Sequence, residues 1–365
     1  MSKFKAMSHR AFNNRNNMKI LIIGPSWVGD MVMSQSLYIT LKQQHPDALI
    51  DVMAPAWCKP ILERMPEVHR ALELPFGHGE FQFFARRALG LSLRGQYDHA
   101  YVLPNSAKSA LITWFARIPE RTGWKGEMRY GLLNDIRSNK RQFQYMTERY
   151  VALAYDKSTM TGSDALGGLD KLPKPKLTIT PEQQQTTARK FSLSLGDTVG
   201  LCPGAEFGPA KQWPTTHYAQ VATYLLQQGK QVWLFGSAKD SLTTQAIIEQ
   251  VPEMLRANLV DLAGKTSLIE AVDLLACCQT VISNDSGLMH VAGAAGCQVI
   301  GVYGSTSPHY TPPLAEKSAI VHTDIECRPC FKRECPYGHL KCLTELAPQQ
   351  VIMALQTFES SSVEL

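Results

Sequence analysis

Short apolar runs alternate along this chain with longer stretches whose apolar residues recur every three to four positions. KILII at Lys19–Ile23 is a run of strand type, the kind that a parallel sheet buries on both faces. After the loop Gly24–Gly29, a helix is predicted from about Asp30 to Gln44, with Met33, Leu37 and Leu41 stepping by four. His45-Pro46 stops it, because proline disfavours helix in the residue before it. Ala48–Met53 reads as the next strand, so the chain opens β-α-β. His99–Leu103 predicts a further strand and Ala107–Ala116 a further helix.

The alternation restarts after LPKPK (Leu172–Lys176), a segment with linker composition. Strands are predicted at Thr198–Cys202, Gln231–Phe235 and Leu259–Leu262, and helices at Thr215–Gln228, Ser241–Gln250 and Leu268–Cys278. Pro348–Phe358 reads as a last amphipathic helix, able to pack back across the domains. Two successive α/β series imply an α/β fold of two Rossmann-like, doubly wound domains facing a cleft. The expected organisation is a disordered extension at 1–17, a first domain at 18–171 and a linker at 172–180. A second domain follows at 181–346, then a C-terminal helix and tail at 347–365.

Within the second series, TVISNDSGLMHVAGAAGCQVIGVYG (Thr280–Gly304) carries the strongest chemical signal. It reads as a strand (Thr280–Ser283), a polar turn (Asn284–Gly287), a helix (Leu288–Ala295) and a strand (Gln298–Tyr303). A helix opening at the carboxyl end of a strand presents unpaired N–H groups and partial positive charge, which suits a diphosphate. Gly287 permits close approach of an anion, and His290 in the first turn reaches back toward it. Asn, Asp and Ser before a helix are equally ordinary caps. The uncharged run from Ser286 to Ala315 is interrupted by Gly, Pro and two His, so it is not read as a membrane span.

Composition changes the picture only locally. The 365 residues are 44% hydrophobic and 19% charged, with a net charge of +5, as in an ordinary globular protein of two domains. Between Arg86 and Arg149, however, twelve basic side chains face five acidic ones. That excess suits a phosphorylated or carboxylated acceptor or an anionic membrane surface, a solvated basic face being the plainer reading. Nothing points to a nucleic-acid partner. MSKFKAMSHRAFNNRNN lacks the apolar core of a secretory signal, so the cytoplasm and free thiols are expected. Cys58, Cys202, Cys277, Cys278 and Cys297 sit in apolar contexts and read as small buried hydrophobes.

Three more loops at strand ends hold candidate chemistry. GPSWVGD lacks both the G-x-G-x-x-G spacing and the Lys-Ser/Thr ending of a P-loop, which disfavours a nicotinamide enzyme. Its Asp30 is either a helix cap or a general base aimed into the cleft. CPGAEFGPAKQWP projects Glu206 and Lys211, and a lysine facing a helix N-terminus would neutralise a departing diphosphate. Asp240, after Phe235-Gly236-Ser237, suits ribose hydroxyls or a cap. Loops from both halves meeting in one predicted cleft favour an enzyme.

GPSWVGDMVMSQSLY, PGAEFGPAKQWP and SNDSGLMHVAGAAG with GVYGSTSP resemble the lipopolysaccharide heptosyltransferases, glycosyltransferase family 9. The resemblance covers nearly everything from Met18 onward and extends to the tail CRPCFKRECPYGHLKC. It implies a GT-B fold with acceptor on the first domain and ADP-heptose on the second. It implies catalytic roles for Asp30 and Lys211, and a donor site of Gly29, Glu206, Lys211, Asp240, Asp285, Ser286, Gly287 and His290. Arg117, Arg121, Lys125 and Arg129 would hold the anionic acceptor. The implied reaction is inverting transfer of L-glycero-D-manno-heptose from ADP-heptose to the first heptose of heptosyl-Kdo2-lipid A, without a required cofactor. It would run at the inner face of the inner membrane, by peripheral attachment. Transfer to Kdo of Kdo2-lipid A, or nucleotide binding without catalysis, are the alternatives.

Cys327, Cys330, Cys335 and Cys342, with His339 nearby, begin with C-x-x-C and supply enough ligands for tetrahedral zinc. A second C-x-x-C is missing, so reduced or partly disulfide-linked thiols compete with a structural zinc. The resemblance gives them no catalytic role.

Overall fold

The computed structural model describes residues 17–77 and 79–360. The polar stretch read as an N-terminal extension lies outside them except for residue 17, as does the end of the tail. Among the described residues, twelve strands form two six-stranded sheets. The first contains β1 (Lys19–Ile23), β2 (Leu49–Ala54), β3 (Val68–Glu73), β4 (His99–Val102), β5 (Glu120–Trp124) and β6 (Asp135–Arg137). The second contains β7 (Thr198–Cys202), β8 (Gln231–Leu234), β9 (Leu259–Asp261), β10 (Thr280–Asn284), β11 (Gln298–Val302) and β12 (Ser318–Val321).

Each sheet is parallel and follows one order: β3-β2-β1-β4-β5-β6 and β9-β8-β7-β10-β11-β12. This is the Rossmann order, in which winding reverses between the first and fourth strands of the set. The reversal opens a crevice at the carboxyl ends of β1 and β4, and another at those of β7 and β10. Ile20, Leu21, Ile22 and Ile23 are fully buried or nearly so, which explains why β1 has no polar alternation.

Helices cover the sheets: α1 (Val28–Gln44), α2 (Lys59–Leu62), α3 (Phe83–Ser92), α4 (Ala107–Phe115) and α5 (Met146–Val151) belong to the first run, and α6 (Pro181–Lys190) opens the second. The rest are α7 (Thr215–Gln227), α8 (Ser241–Gln250), α9 (Leu268–Leu275), α10 (Gly287–Ala294), α11 (Lys341–Thr344) and α12 (Pro348–Ser360). The i, i+4 step of Met33, Leu37 and Leu41 predicts one buried stripe on α1. Instead almost its whole circumference is buried, Ser34, Gln35, Ser36 and Thr40 included. Ser34 donates to Met31 O at 2.7 Å and Thr40 to Ser36 O at 2.7 Å, Gln35 reaches Glu67 and Lys176 outside the helix, and Ser36 Oγ has no partner among the described residues. The cause is tertiary, because α5 and α10 cover the faces that the sheet leaves.

That packing joins the halves. One buried cluster runs from Ile20, Leu37 and Phe143 on the first side to Phe235, Met289 and Val291 on the second. Arg64 and Asp273 form an ion pair between them at 2.7 Å, and Thr187 donates to the other Asp273 oxygen at 2.9 Å. The LPKPK segment is tied down on both sides. Gln35 exchanges two hydrogen bonds with the Lys176 backbone, and Leu177 N–H donates to Ala294 O at 2.8 Å. Helix α12 packs on α7, β11 and β12 through Val351, Leu355 and Phe358, so it covers the second sheet and does not bridge the halves. Among the described residues, no helix is long and apolar enough to cross a membrane.

Candidate active site

Helices α1 and α10 meet end to end across the two halves, and glycine makes the approach possible. A Cβ on Gly29 would lie 2.9 Å from His290 Cδ2 and 3.3 Å from Gly287 Cα. A Cβ on Gly287 would lie 3.3 Å from both Gly29 N and Val28 Cβ. Neither helix start carries a side-chain cap, although Trp27 and Ser286 occupy the N-cap positions. Two helix N-termini with their positive ends converging form a strong site for an anion. Gly29→Ala is expected to lower turnover by about a hundredfold while the fold persists, because displacements near 1 Å misalign reacting groups. Steady-state kinetics and circular dichroism check this together.

Asp30 sits at that junction, three residues into α1 and not at its cap. Its Oδ1 accepts from the Tyr150 hydroxyl at 3.3 Å. Burial pushes its carboxyl above the ordinary carboxylate range, against the opposing influence of Tyr150, Lys211 and Lys140. A carboxylate raised in this way, with a second oxygen beyond the tyrosine contact, is a stronger proton acceptor than an ordinary one.

Lys211 approaches from the second half. Its Nζ lies 2.7 Å from Asp285 Oδ2 and 3.2 Å from Asp285 O, and 5.0 Å from the Phe207 ring centroid. Asp285 also accepts from Thr306 at 2.6 Å and Thr311 at 3.4 Å. Its side chain is 4% exposed. The aspartate therefore aims the lysine and is already occupied by donors. The groups here that suit an anion are therefore the Lys211 ammonium and the α10 N–H groups.

Behind this pair, Asn284 clamps the crevice of the second sheet. It donates to Pro203 O at 2.7 Å and accepts from Tyr218 at 3.0 Å and Trp213 N at 3.2 Å. Burial pushes the His290 imidazole down to about 4, and its Nδ1 has no protein partner. An imidazole so held carries no charge at physiological pH. Its role in the geometry is to pack beneath Gly29. Ser286 Oγ lies 3.2 Å from Ser283 Oγ.

The other residues expected at the donor sit in the loops after β7 and β8. Asp240 Oδ2 accepts from Ser237 N and Oγ, both at 2.8 Å, closing the turn after β8. Its carboxyl group lies against Gly204, where a Cβ would come within 2.6 Å of it. Glu206 is exposed and pairs with Lys239 at 2.7 Å.

The acceptor-side expectations fare unevenly. Arg117 ends α4 in a left-handed conformation (φ 55°), with Ile118 N–H returning to Thr113 O, a helix-stop geometry. It precedes β5, so it lies at the amino edge of the sheet, away from the crevice. Arg121 lies at the same edge and spends its guanidinium on Leu132 O and Ile118 O. Arg129 is at the correct edge but buried, bracing Pro104 O and Trp124 O. Lys125 alone is exposed there, 5.9 Å from the Tyr130 ring centroid. Local charge density in the sequence could not distinguish these edges, because β5 itself was not visible in the pattern.

The structure adds residues that no motif announced. Lys140 is close enough to Asp30 for the two charges to act on each other, and its ammonium is held below its usual range by burial. Arg149 donates to Tyr310 Oη at 2.9 Å and stacks on that ring from the other half, while Met146 N–H donates to Tyr310 O at 2.9 Å. Thr306, unlike these, lies within the quoted GVYGSTSP motif, which is the available signal for it.

The four tail cysteines line a small common cavity with Ala210, Ser305 and His339. Among the described residues, however, no group of three or more His, Cys, Asp or Glu side chains is arranged to hold a metal ion. The tail braces the donor side: Ala210 N–H donates to Arg333 O at 3.0 Å, and Phe331 N–H to Ser305 O at 2.8 Å.

Two Rossmann sheets whose crevices face one anion-seeking junction, with a buried carboxylate on one side and a lysine on the other, suit a transferase of nucleotide-activated groups. The chain belongs to glycosyltransferase family 9, the heptosyltransferases, whose family model matches residues 86–341. It is similar to lipooligosaccharide heptosyltransferase 2 of Haemophilus influenzae, with 52% identity over 93% of this chain and 98% of that protein. It is likewise 50% identical to lipopolysaccharide heptosyltransferase 2 of Escherichia coli K12, over 93% of this chain and 97% of that protein. The solved structure of E. coli ADP-heptose lps heptosyltransferase II superimposes with a TM-score of 0.83 at 48% identity, covering 93% and 98% of the two chains. The fold is thus the GT-B arrangement of these enzymes, and the chain is a glycosyltransferase.

Proposed function

We propose that this enzyme transfers heptose from ADP-heptose to the first heptose of the lipopolysaccharide inner core, with inversion at the anomeric carbon. The observation that carries the reading is the junction of α1 and α10, where Asp30 of one half approaches the Lys211–Asp285 pair of the other. Relatives named for the second heptosyltransferase match along nearly the whole chain, which supports this acceptor over Kdo.

In the reaction, Asp30 takes the proton from an acceptor hydroxyl as its oxygen attacks the anomeric carbon from the face opposite ADP. The C–O bond to ADP breaks, and the electron pair leaves with the diphosphate. A diphosphate needs charge stabilisation and not protonation, so one carboxylate suffices, whereas a glycosidase needs two. Lys211 and the uncapped N–H groups of α10 supply that stabilisation. Asp240 binds the ribose from the loop after β8, and Glu206 and Gly29 border the donor. Lys125 and Lys140 meet the phosphates and carboxylates of the acceptor.

No metal is needed on this scheme, so dialysis against EDTA should leave the transfer rate within about twofold. Purified enzyme offered ADP-heptose with Kdo2-lipid A, or with the same acceptor carrying one heptose, decides the acceptor. Turnover confined to the heptosylated acceptor is expected. Turnover only on the unheptosylated one would assign the first transfer instead, and tight ADP binding without turnover on either would reject catalysis. The site of action is the inner face of the inner membrane, with the enzyme attached peripherally.

A further inference from the structure

Away from the crevice, the first half exposes an aromatic surface that the transfer chemistry does not use. Phe81, Phe83, Phe84 and Trp114 are 58%, 37%, 82% and 43% exposed. They are not scattered. Phe81 stacks on Phe83 at 6.1 Å between centroids, Phe83 meets Phe84 edge-on at 5.6 Å and Phe115 at 5.5 Å, and Phe115 meets Trp114 at 4.8 Å. Single exposed apolar side chains are ordinary, but a contiguous aromatic cluster in water marks a contact surface.

The cluster is held in shape from beneath. Arg86 is buried, donates to Phe81 O at 2.7 Å and Glu80 O at 3.1 Å, and lies 4.3 Å from the Phe76 ring centroid. Gln82, in a left-handed conformation at φ 38°, turns the chain between Phe81 and Phe83. Gly90 lets α3 lie directly on α4, since a Cβ there would stand 2.6 Å from Ile112 O and Phe115 Cβ.

Charge identifies the occupant. Phe81–Tyr97 contains Arg86, Arg87 and Arg94 and no carboxylate, and Leu103–Pro119 contains Lys108 and Arg117 and no carboxylate. Arg87 is exposed one helical turn beyond Phe83 and Phe84, and Arg94 donates to Phe115 O at 3.1 Å. Glu80 precedes this surface, and its carboxylate is taken up by Gly77 N–H and the Gln82 amide. Aromatic rings bordered by an excess of arginines match the interfacial layer of an anionic bilayer. The rings enter at headgroup depth while the guanidinium groups meet lipid phosphates.

The geometry points to this face, the start of α3 with the end of α4, as a docking surface for an anionic lipid bilayer. It rests on the proposed reaction in one respect, that the acceptor is anchored in such a bilayer. Binding is reversible, because a few rings and arginines give modest adhesion that salt weakens.

The test is co-sedimentation of the full-length protein with vesicles of phosphatidylglycerol and phosphatidylethanolamine, against vesicles of phosphatidylcholine alone. Binding to the anionic vesicles only, lost at high salt, is expected. Phe84→Ser with Trp114→Ser should cut partitioning about tenfold or more, and Arg87→Glu about fivefold or more. Both variants should keep the wild-type thermal midpoint and the wild-type rate on a deacylated, soluble acceptor, yet slow on acceptor embedded in vesicles. Wild-type protein that ignores anionic vesicles, or variants that bind as wild type does, would overturn the assignment. So would wild-type dimers that the Phe84→Ser, Trp114→Ser variant dissolves, because the face would then belong to a second copy. The vesicle measurement uses neither donor nor acceptor, so it decides the surface separately from the assay that decides the reaction.

Discussion

Asp30→Asn is expected to lower kcat by about a thousandfold, the scale of a lost general base, while ADP-heptose binds as tightly as before. The asparagine keeps the shape of the side chain and can still accept from Tyr150, so the loss reports proton transfer and not packing. Two further signatures accompany it. In the wild type, kcat/KM should rise with pH through the ionisation of Asp30, with the acidic limb above the ordinary carboxylate range. That limb should vanish from the residual activity of the variant. Stability moves the other way. With its pKa raised on folding, Asp30 holds its proton more tightly in the folded chain, so its contribution to stability falls as pH rises through that window. At neutral pH the buried charge is a net cost, and Asp30→Asn should raise the thermal midpoint. A variant that is active, or inactive and less stable, would remove Asp30 from its role.

Lys211→Met should abolish transfer and also destabilise the second half by about 3 kcal/mol, because it strands the buried Asp285 carboxylate. The double variant Lys211→Met, Asp285→Asn separates the two effects. Thr306 and Thr311 can rotate to serve an amide oxygen, so most of the thermal stability should return. Activity should not return, since no cation then faces the leaving diphosphate. Recovery of both would mean that Lys211 acts only by holding the turn together. Recovery of neither would mean that the ion pair is not the source of the instability.

The pattern of apolar residues located the strands at the centre of each sheet closely, because those strands are buried on both faces and carry no competing polar signal. Lys19–Ile23, Thr198–Cys202 and the start of Thr280–Asn284 are of this kind. Edge strands were the casualties. Val68–Glu73 reads VHRALE and Asp135–Arg137 only DIR, and both gain their strand character from the neighbour that they pair with. Without β5 and β6, the basic stretch could not be divided into residues at the crevice and residues at the opposite edge. Hence Arg117 and Arg121 were grouped with Lys125, and Lys140 was not singled out. The donor turn was legible because strand, turn and helix are contiguous there. Tyr150, Tyr310 and Asn284 act through contacts between distant segments, which spacing along one chain does not reveal. The buried state of His290 was hidden for the same reason: Gly29, which covers it, lies in the other half.

The division of labour between Gly29–Asp30 and Gly287–His290 also bears on where transfer is vulnerable. Here the proposed proton acceptor and the proposed anion cradle ride on separate halves that meet through Gly29 and Gly287. On that reading the chemistry depends on the packing of one half against the other, so a change in the buried seam far from either group would cost transfer as surely as a change in the site.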